Sequence, residues 1–308
     1  MKYGIAFCCD DNYIIPACVT IESLLSNNRN IAKDIVFYTF SNSINEKSIE
    51  MMNSVITRYE SRLQLLPIPN ELKNLVDSIP IYVNHISSAA YYRLFLPYLL
   101  DSVSSCLYID CDILVRGSIL PIFKTVMDNV CVAAVKDDGS TYYAERINVE
   151  TYCNSGVLMM NFDKIRATRT MEQFNKELNT IAKNNILLMG DQDIINLLYK
   201  DSMAILPDTY NYQRHLKKIR TLVKERTGYR NSVIVHYITK DKPWKPTHFF
   251  PYSSEYYSYL KKYLSKPKKI AFWAGKPFGV VIHTIEYCYY DILHLARRIK
   301  RKIKKKAI

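Results

Sequence analysis

Residues 107–113 read Leu107-Tyr108-Ile109-Asp110-Cys111-Asp112-Ile113, an apolar run closing on two carboxylates at i and i+2. Alternate residues of an extended chain point to the same side. Both acids can therefore address one hard cation at a sheet edge. Oxygen ligands suit Mn²⁺ or Mg²⁺, and either ion can bridge such a pair to a diphosphate. The competing reading is a strand end with two solvated acids, because a bare Asp-x-Asp arises often by chance. The apolar residues directly before the pair weigh against it.

Working outward, the same kind of apolar run recurs. Lys2–Cys9 reads as a buried first strand, Asp34–Phe40 as a second and Leu63–Ile68 as a third. Between them lie helices over Pro16–Leu25, with Ala17, Ile21, Leu24 and Leu25 on one face, and over Ser43–Arg58. Further strands are expected at Cys106–Asp112, Val130–Val135, Ser155–Asn161 and Val233–Val235, and a helix at Asp191–Leu198. Strands alternating with helices of this length imply an α/β fold, a mostly parallel, doubly wound sheet with helices on both faces. Ligands in such sheets bind beyond the carboxyl ends of the strands. Asp10–Tyr13, Asp110–Asp112, Asp137–Asp138 and His236 all fall there.

The 308 residues, 48% of them hydrophobic, suffice for one large domain with an appendage. Net charge is +13, yet eight basic residues lie between Arg297 and Lys306; subtracting them leaves +5. The charge belongs to the tail, which argues against a nucleic-acid-binding body. The eight cysteines form no CxxC pair, and buried free thiols of a reducing compartment are expected. Asp10 and Asp11 interrupt the N-terminal apolar stretch, so no signal peptide is read. No apolar run reaches the ~18 residues of a membrane span.

Other polar clusters are individually weak. His236 ends a strand and offers a neutral imidazole, with Lys242 and Trp244 behind it. Asp10 and Asn12 can hold a base or ribose and Tyr13 can stack on a ring, or the segment is simply a capped turn. His85 and Arg93 share an expected helical region; Arg93 can clamp phosphate or pair with an acidic neighbour. Asn154-Ser155-Gly156 and Asp191-Gln192-Asp193 are short polar entries to a strand and a helix.

Seven motifs occur in order: FCCDDNY, H-x7-R within HISSAAYYRL, LYIDCDILV, AAVKDD, NSGVLMMN, GDQDI and HY-x4-KPW. Together, from Met1 to Trp244, they resemble the retaining glycosyltransferases of family 8. That group includes bacterial lipopolysaccharide glucosyl- and galactosyltransferases. The resemblance implies the GT-A nucleotide-sugar-binding fold over 1–250, with 251–308 a basic, aromatic membrane-association region. It implies a UDP-hexose donor and Mn²⁺, or Mg²⁺, held by Asp110, Asp112 and His236. By the same resemblance Cys8, Asp10, Asn12 and Tyr13 line the uridine pocket. Arg93, Asp110, Asn154, Ser155, Asp191 and Gln192 meet the donor sugar or ribose, and Lys242 meets the diphosphate. His85 and Asp137 match the acceptor side, and Asp191 and Gln192 the catalytic centre. Thr239 stands where the family places a glycine whose backbone approaches the diphosphate, so either the loop shifts to make room for the side chain or the donor is held more weakly.

The acceptor implied is lipopolysaccharide or another surface glycan, lipid-linked, with the enzyme cytoplasmic and peripheral on the inner face of the plasma membrane. Clustered Lys/Arg beside tail aromatics suits anionic lipid at ~1 kcal/mol per basic residue, the competing readings being a solvated tail or contact with nucleic acid, the other polyanion. Two other classes stay open. A phosphoryl-transfer enzyme of the haloacid dehalogenase type also uses Asp-x-Asp, but on its first strand. A non-catalytic UDP-sugar-binding scaffold of the same fold would lack intact metal ligands.

Overall fold

The computed structural model describes residues 2–40, 44–79, 88–125, 127–184, 187–214, 222–238, 240–248, 250, 252–277 and 280–281. It divides into two compact units: 1–213 with 232–236, and 214–231 with 237–308, the division falling inside two strands.

The first unit is built on a seven-stranded sheet. Its strands are β1 (Tyr3–Ala6), β2 (Ile35–Phe40), β3 (Arg62–Leu66), β4 (Ser105–Ile109), β6 (Val132–Lys136), β7 (Cys153–Asn161) and β8 (Met203–Ile205). A second, three-stranded sheet holds β5 (Ile113–Val115), β9 (Tyr212–Arg214) and β10 (Ile234–Tyr237) in the order β5-β10-β9. The large sheet runs β3-β2-β1-β4-β7-β6-β8. Pairings β1–β2, β1–β4, β2–β3 and β6–β8 are parallel, as the alternating pattern predicted. The chain winds outward from β1 to β3, then returns to lay β4 on the other side of β1. That reversal makes the carboxyl ends of β1 and β4 the switch point of the sheet, the usual ligand position in such folds.

β7 is the exception. It runs antiparallel to both β4 and β6, with Ile109 opposite Val157. Its first residues, Asn154 to Gly156, therefore lie beside the carboxyl end of β4, and the Asp110 N–H donates to the Gly156 carbonyl at 2.9 Å. β4 itself ends at Ile109, so Asp110–Asp112 is a turn and not a strand end. His236, expected just past a strand, lies within β10.

Helix Ile14–Asn27 packs against this turn. Eleven of its residues are buried, including Thr20, Glu22 and Ser23. The polar ones work on backbone. Thr20 Oγ1 donates toward the carbonyls of Cys111 (2.9 Å) and Ile113 (2.7 Å) and accepts from the Ile113 N–H. Ser23 Oγ accepts from the Val115 N–H, and Asn27 Nδ2 donates to the Val115 carbonyl. Asn28, directly after the helix, donates to Gly117 O and accepts from Ile119 N. One helix face thus laces down the chain from 111 to 119. A buried polar group is tolerated only when bonded.

The second unit holds an aromatic cluster. Tyr237 meets Phe250 and Tyr256 edge-on, with ring centroids 5.2 and 5.1 Å apart. Arg214 is buried, donates to Ser253 Oγ at 2.9 Å, and lies 5.1 Å from the Tyr229 ring centroid. Of the aromatics in the region 251–308, Tyr256, Tyr257 and Phe272 are buried, while Tyr252 and Trp273 are exposed. Tyr287, Tyr289, Tyr290 and the basic run Arg297–Lys306 lie outside the described residues. Among the described residues no helix is long and apolar enough to cross a membrane.

Thr20→Val keeps the shape of the side chain but removes the hydroxyl that serves Ile113. Stability should fall by about 1–3 kcal/mol, the cost of a buried polar group left without its partner, read as a lower urea midpoint.

Candidate functional site

Asp110, Asp112 and His236 offer ligand atoms lying within 4.8 Å of one another. His236 Nε2 is 3.1 Å from Asp112 Oδ1 and 3.5 Å from Asp110 Oδ2. Asp112 and His236 are buried. The pairing of β10 with β5 sets His236 opposite Ile113, one residue beyond the acid pair.

The tautomer of this imidazole follows from a chain of bonds that starts at a backbone amide. The Gly156 N–H donates at 3.0 Å to Asn154, which identifies the accepting atom as Oδ1. Asn211 Nδ2 must then be the donor at 2.8 Å to that same Oδ1. Its own Oδ1 faces His236 Nδ1 at 3.0 Å, so Nδ1 carries a proton and Nε2 is the ring atom turned to the acids. With Nδ1 engaged, Nε2 is the ring atom available to a cation seated between it and the two carboxylates. The donor set is carboxylate oxygen and imidazole nitrogen, which fits Mn²⁺ or Mg²⁺ better than a soft ion.

Gly156 has a second part. A Cβ there would stand 2.2 Å from His236 Cε1 and 2.8 Å from Asp110 Oδ2. Only glycine lets the imidazole and Asp110 close on the same backbone.

Arg93, in the 3-10 segment Ser88–Phe95, is buried behind the acids. Its Nη1 is 3.1 Å from Asp110 Oδ1 and its Nε 3.1 Å from Asp191 Oδ2. It also donates to the carbonyls of Ser155 (2.8 Å) and Ala90 (2.9 Å), and its guanidinium lies 4.3 Å from the Tyr108 ring centroid. The Tyr108 hydroxyl donates to Asp110 Oδ1 at 2.7 Å. Burial alone would lower the Arg93 pKa; Asp110 and Asp191 reverse that and hold the guanidinium firmly charged. Burial pushes the Asp191 carboxyl up to about 6, with Arg93 pulling against it.

Asp191 and Gln192 open helix Asp191–Leu198, which Gly190 delivers with φ 59°, a value that favours glycine. Gln192 Oε1 accepts from the Ser155 N–H (3.1 Å) and from Asn154 Nδ2 (3.0 Å), which turns Nε2 toward Asp137 Oδ2 at 3.3 Å. Asn154 Nδ2 also donates to Asp137 Oδ2. Both protons and both lone pairs of the Asn154 amide are thus engaged inside the protein. Asp193 takes bonds from Tyr152, Arg146 and the Met189 N–H, and Asn196 ties the helix to Cys153.

Cys8, Asp10, Asn12 and Tyr13 follow β1. Asp10 Oδ1 accepts from the Asn12 N–H, capping the turn 11–13. Asp11 reaches the Asn45 N–H and Ser48 Oγ, which holds its pKa below the ordinary value. Burial raises the Cys8 thiol and the Tyr13 hydroxyl, so both stay protonated. Ser155, Asp137 and Arg93 thus gather with Asp110, Asp191 and Gln192 in the first unit. Lys242 belongs to the second, where its Nζ donates to Tyr237 O at 2.7 Å and lies 5.8 Å from the Trp244 ring centroid. His85 and Thr239 lie outside the described residues. Asn211 and Tyr108 had no signal of their own in the sequence.

A model of the family described as glycosyl transferase family 8 matches residues 4–248. General stress protein A of Bacillus subtilis (strain 168) is 29% identical over 269 residues, 83% of this chain and 92% of that protein. Lipopolysaccharide 1,2-glucosyltransferase of Escherichia coli is 29% identical over 257 residues, 79% of this chain and 73% of that protein. Among solved structures, galactosyltransferase LgtC in complex with donor and acceptor sugar analogs superposes with a TM-score of 0.71. It covers 87% of this chain and 99% of its own at 22% identity, a likeness of fold.

Asn211→Leu removes the acceptor that keeps His236 Nδ1 protonated, and Mn²⁺ affinity should drop about 10–100-fold. Gly156→Ala should weaken it at least as much. Titration calorimetry or Mn²⁺ EPR reads both.

Proposed function

The chain belongs to glycosyl transferase family 8, and we propose that it moves glucose or galactose from a UDP-sugar to a lipopolysaccharide or other surface-glycan acceptor with retention of configuration. The observation that carries this reading is the convergence of Asp110, Asp112 and an Nε2-presenting His236 at the sheet's switch point. The lipopolysaccharide glucosyltransferase among its relatives supports the acceptor class. LgtC, of like fold, was solved with donor and acceptor sugar analogs, which supports a cleft for two substrates. A phosphatase-type Asp-x-Asp would stand on the first strand, whereas this one follows β4.

Asp110, Asp112 and His236 would hold Mn²⁺, with Mg²⁺ as the alternative, and the ion would offset charge gathering on the departing UDP. Cys8, Asp10, Asn12 and Tyr13 would receive uridine, with Tyr13 stacking on the ring. Lys242 would neutralise the diphosphate. Ser155, Arg93 and Asp110 would border the sugar and ribose, and Asn154 would hold Gln192 and Asp137 from behind. Asp137 and His85 would face the acceptor.

The anomeric carbon becomes oxocarbenium-like as the bond to UDP breaks. Gln192 is a neutral amide and a poor nucleophile. Asp191 is buried and ion-paired to Arg93, which blunts it as well. We therefore assign same-face attack: the acceptor oxygen bonds to the anomeric carbon as the phosphate oxygen leaves, and that oxygen takes the hydroxyl proton. A glycosyl–Asp191 adduct seen by mass spectrometry would overturn this. The basic run Arg297–Lys306 would hold the enzyme on an anionic leaflet facing the cytoplasm, with no nucleic-acid partner.

UDP release from a panel of UDP-sugars tests the reading. One UDP-hexose should turn over slowly with Mn²⁺, and EDTA or Asp112→Asn should abolish it. No turnover and no Mn²⁺-dependent UDP binding would leave a scaffold of the same fold.

A further inference from the structure

The second unit buries a lysine that the transfer chemistry does not use. Lys276 lies in the helical segment 266–277 and is 6% exposed. Its Nζ donates to the carbonyls of Pro243 (3.1 Å), Lys245 (3.2 Å) and His248, and to the Tyr257 hydroxyl (3.3 Å). The ammonium also lies 4.3 Å from the Phe272 ring centroid and 4.6 Å from that of Tyr257. An ammonium has three protons, so four oxygen acceptors share them. A buried charge persists only with such partners.

The three carbonyls belong to one loop, and that loop begins at Lys242. The Lys242 N–H donates to His248 Nδ1 at 3.1 Å, closing 242–248 on itself. Helix 266–277 approaches the loop at a second point. A Cβ on Gly275 would stand 2.7 Å from Pro246 Cβ and 3.1 Å from its carbonyl carbon. Gly275 and Lys276 therefore seat neighbouring residues of the helix on the loop, one by shape and one by hydrogen bonds.

We infer that Lys276 is a positioning residue for Lys242: it cross-links the carbonyls of Pro243, Lys245 and His248 and so holds the loop that presents Lys242 to the donor's diphosphate. The segment 266–277 is then part of the transfer apparatus and not only a link to the basic tail. This rests on the reading of Lys242 given above. No contact to the sugar or uridine is assigned to Lys276.

The test uses the full chain with Lys276→Met, Lys242→Met and the double variant. UDP binding is measured by calorimetry with saturating Mn²⁺, and uridine binding by ligand-observed NMR. A diphosphate-specific loss is expected: UDP weakened about tenfold or more in each single variant, uridine within about twofold. The double variant should be no weaker than Lys242→Met, because the two act in series. Should Lys276→Met fail to melt cooperatively, Gly275→Ala, which leaves every charge in place, is expected to repeat the pattern. Unchanged UDP affinity in Lys276→Met beside a loss in Lys242→Met overturns the inference and leaves the function standing. No loss in either removes the diphosphate role of Lys242 and the inference with it. Additive losses, or equal loss of uridine and UDP, also overturn it.

Discussion

The bare α-carbon of Gly156 is the constraint on which the site depends. His236 and Asp110 both close on it, at distances no Cβ would permit. The same residue's N–H starts the series through Asn154 and Asn211 that leaves the imidazole's Nε2 turned to the acids. Sterics and hydrogen bonding thus act from one position. The antiparallel run of β7 brings that position to the carboxyl end of β4. A parallel β7 would carry Asn154, Ser155 and Gly156 to the far edge of the sheet.

Negative charge gathers around this point. Arg93 spans Asp110 and Asp191, while Tyr108 supplies both a hydroxyl to Asp110 and a ring face to the guanidinium. Asp110 and Asp191 share one buried guanidinium, and Asp112 adds a third carboxylate beside His236. The excess negative charge suits a divalent cation, and it sets this end of the sheet apart from its apolar interior. Asn154, with its amide fully engaged, is better placed to hold neighbours than to meet a ligand.

The sheet was legible because apolar runs of strand length, spaced by helices, leave a period that survives in one dimension. Helix Asp191–Leu198 and strands β1, β2, β3, β4 and β6 appear where that period put them, whereas the short parallel strand β8 was too brief to leave it. The acid pair was legible because its chemistry is local. Strand direction was not, since a run of Val, Leu and Met reads the same either way, and β7 reverses without a mark. Gly156 could be seen only as the head of a strand, because its meaning lies in a ring 80 residues on. Thr20 and Asn211 are single polar residues whose partners are backbone or side chains far along the chain. Lys276 was submerged in a lysine-rich tail, where composition suggested solvent.

The pairing of β5 with β10 joins Val115 to Ile234, a closure across more than a third of the chain. Contacts of such separation form late, after loop entropy has been met. A chain emerging from the ribosome therefore carries its acid pair, and the helix that laces the turn, long before residue 236 exists. Until then the two carboxylates are a solvated turn with no imidazole to complete them. The order of synthesis keeps a half-made chain from closing Asp110 and Asp112 onto a third ligand around an incomplete fold.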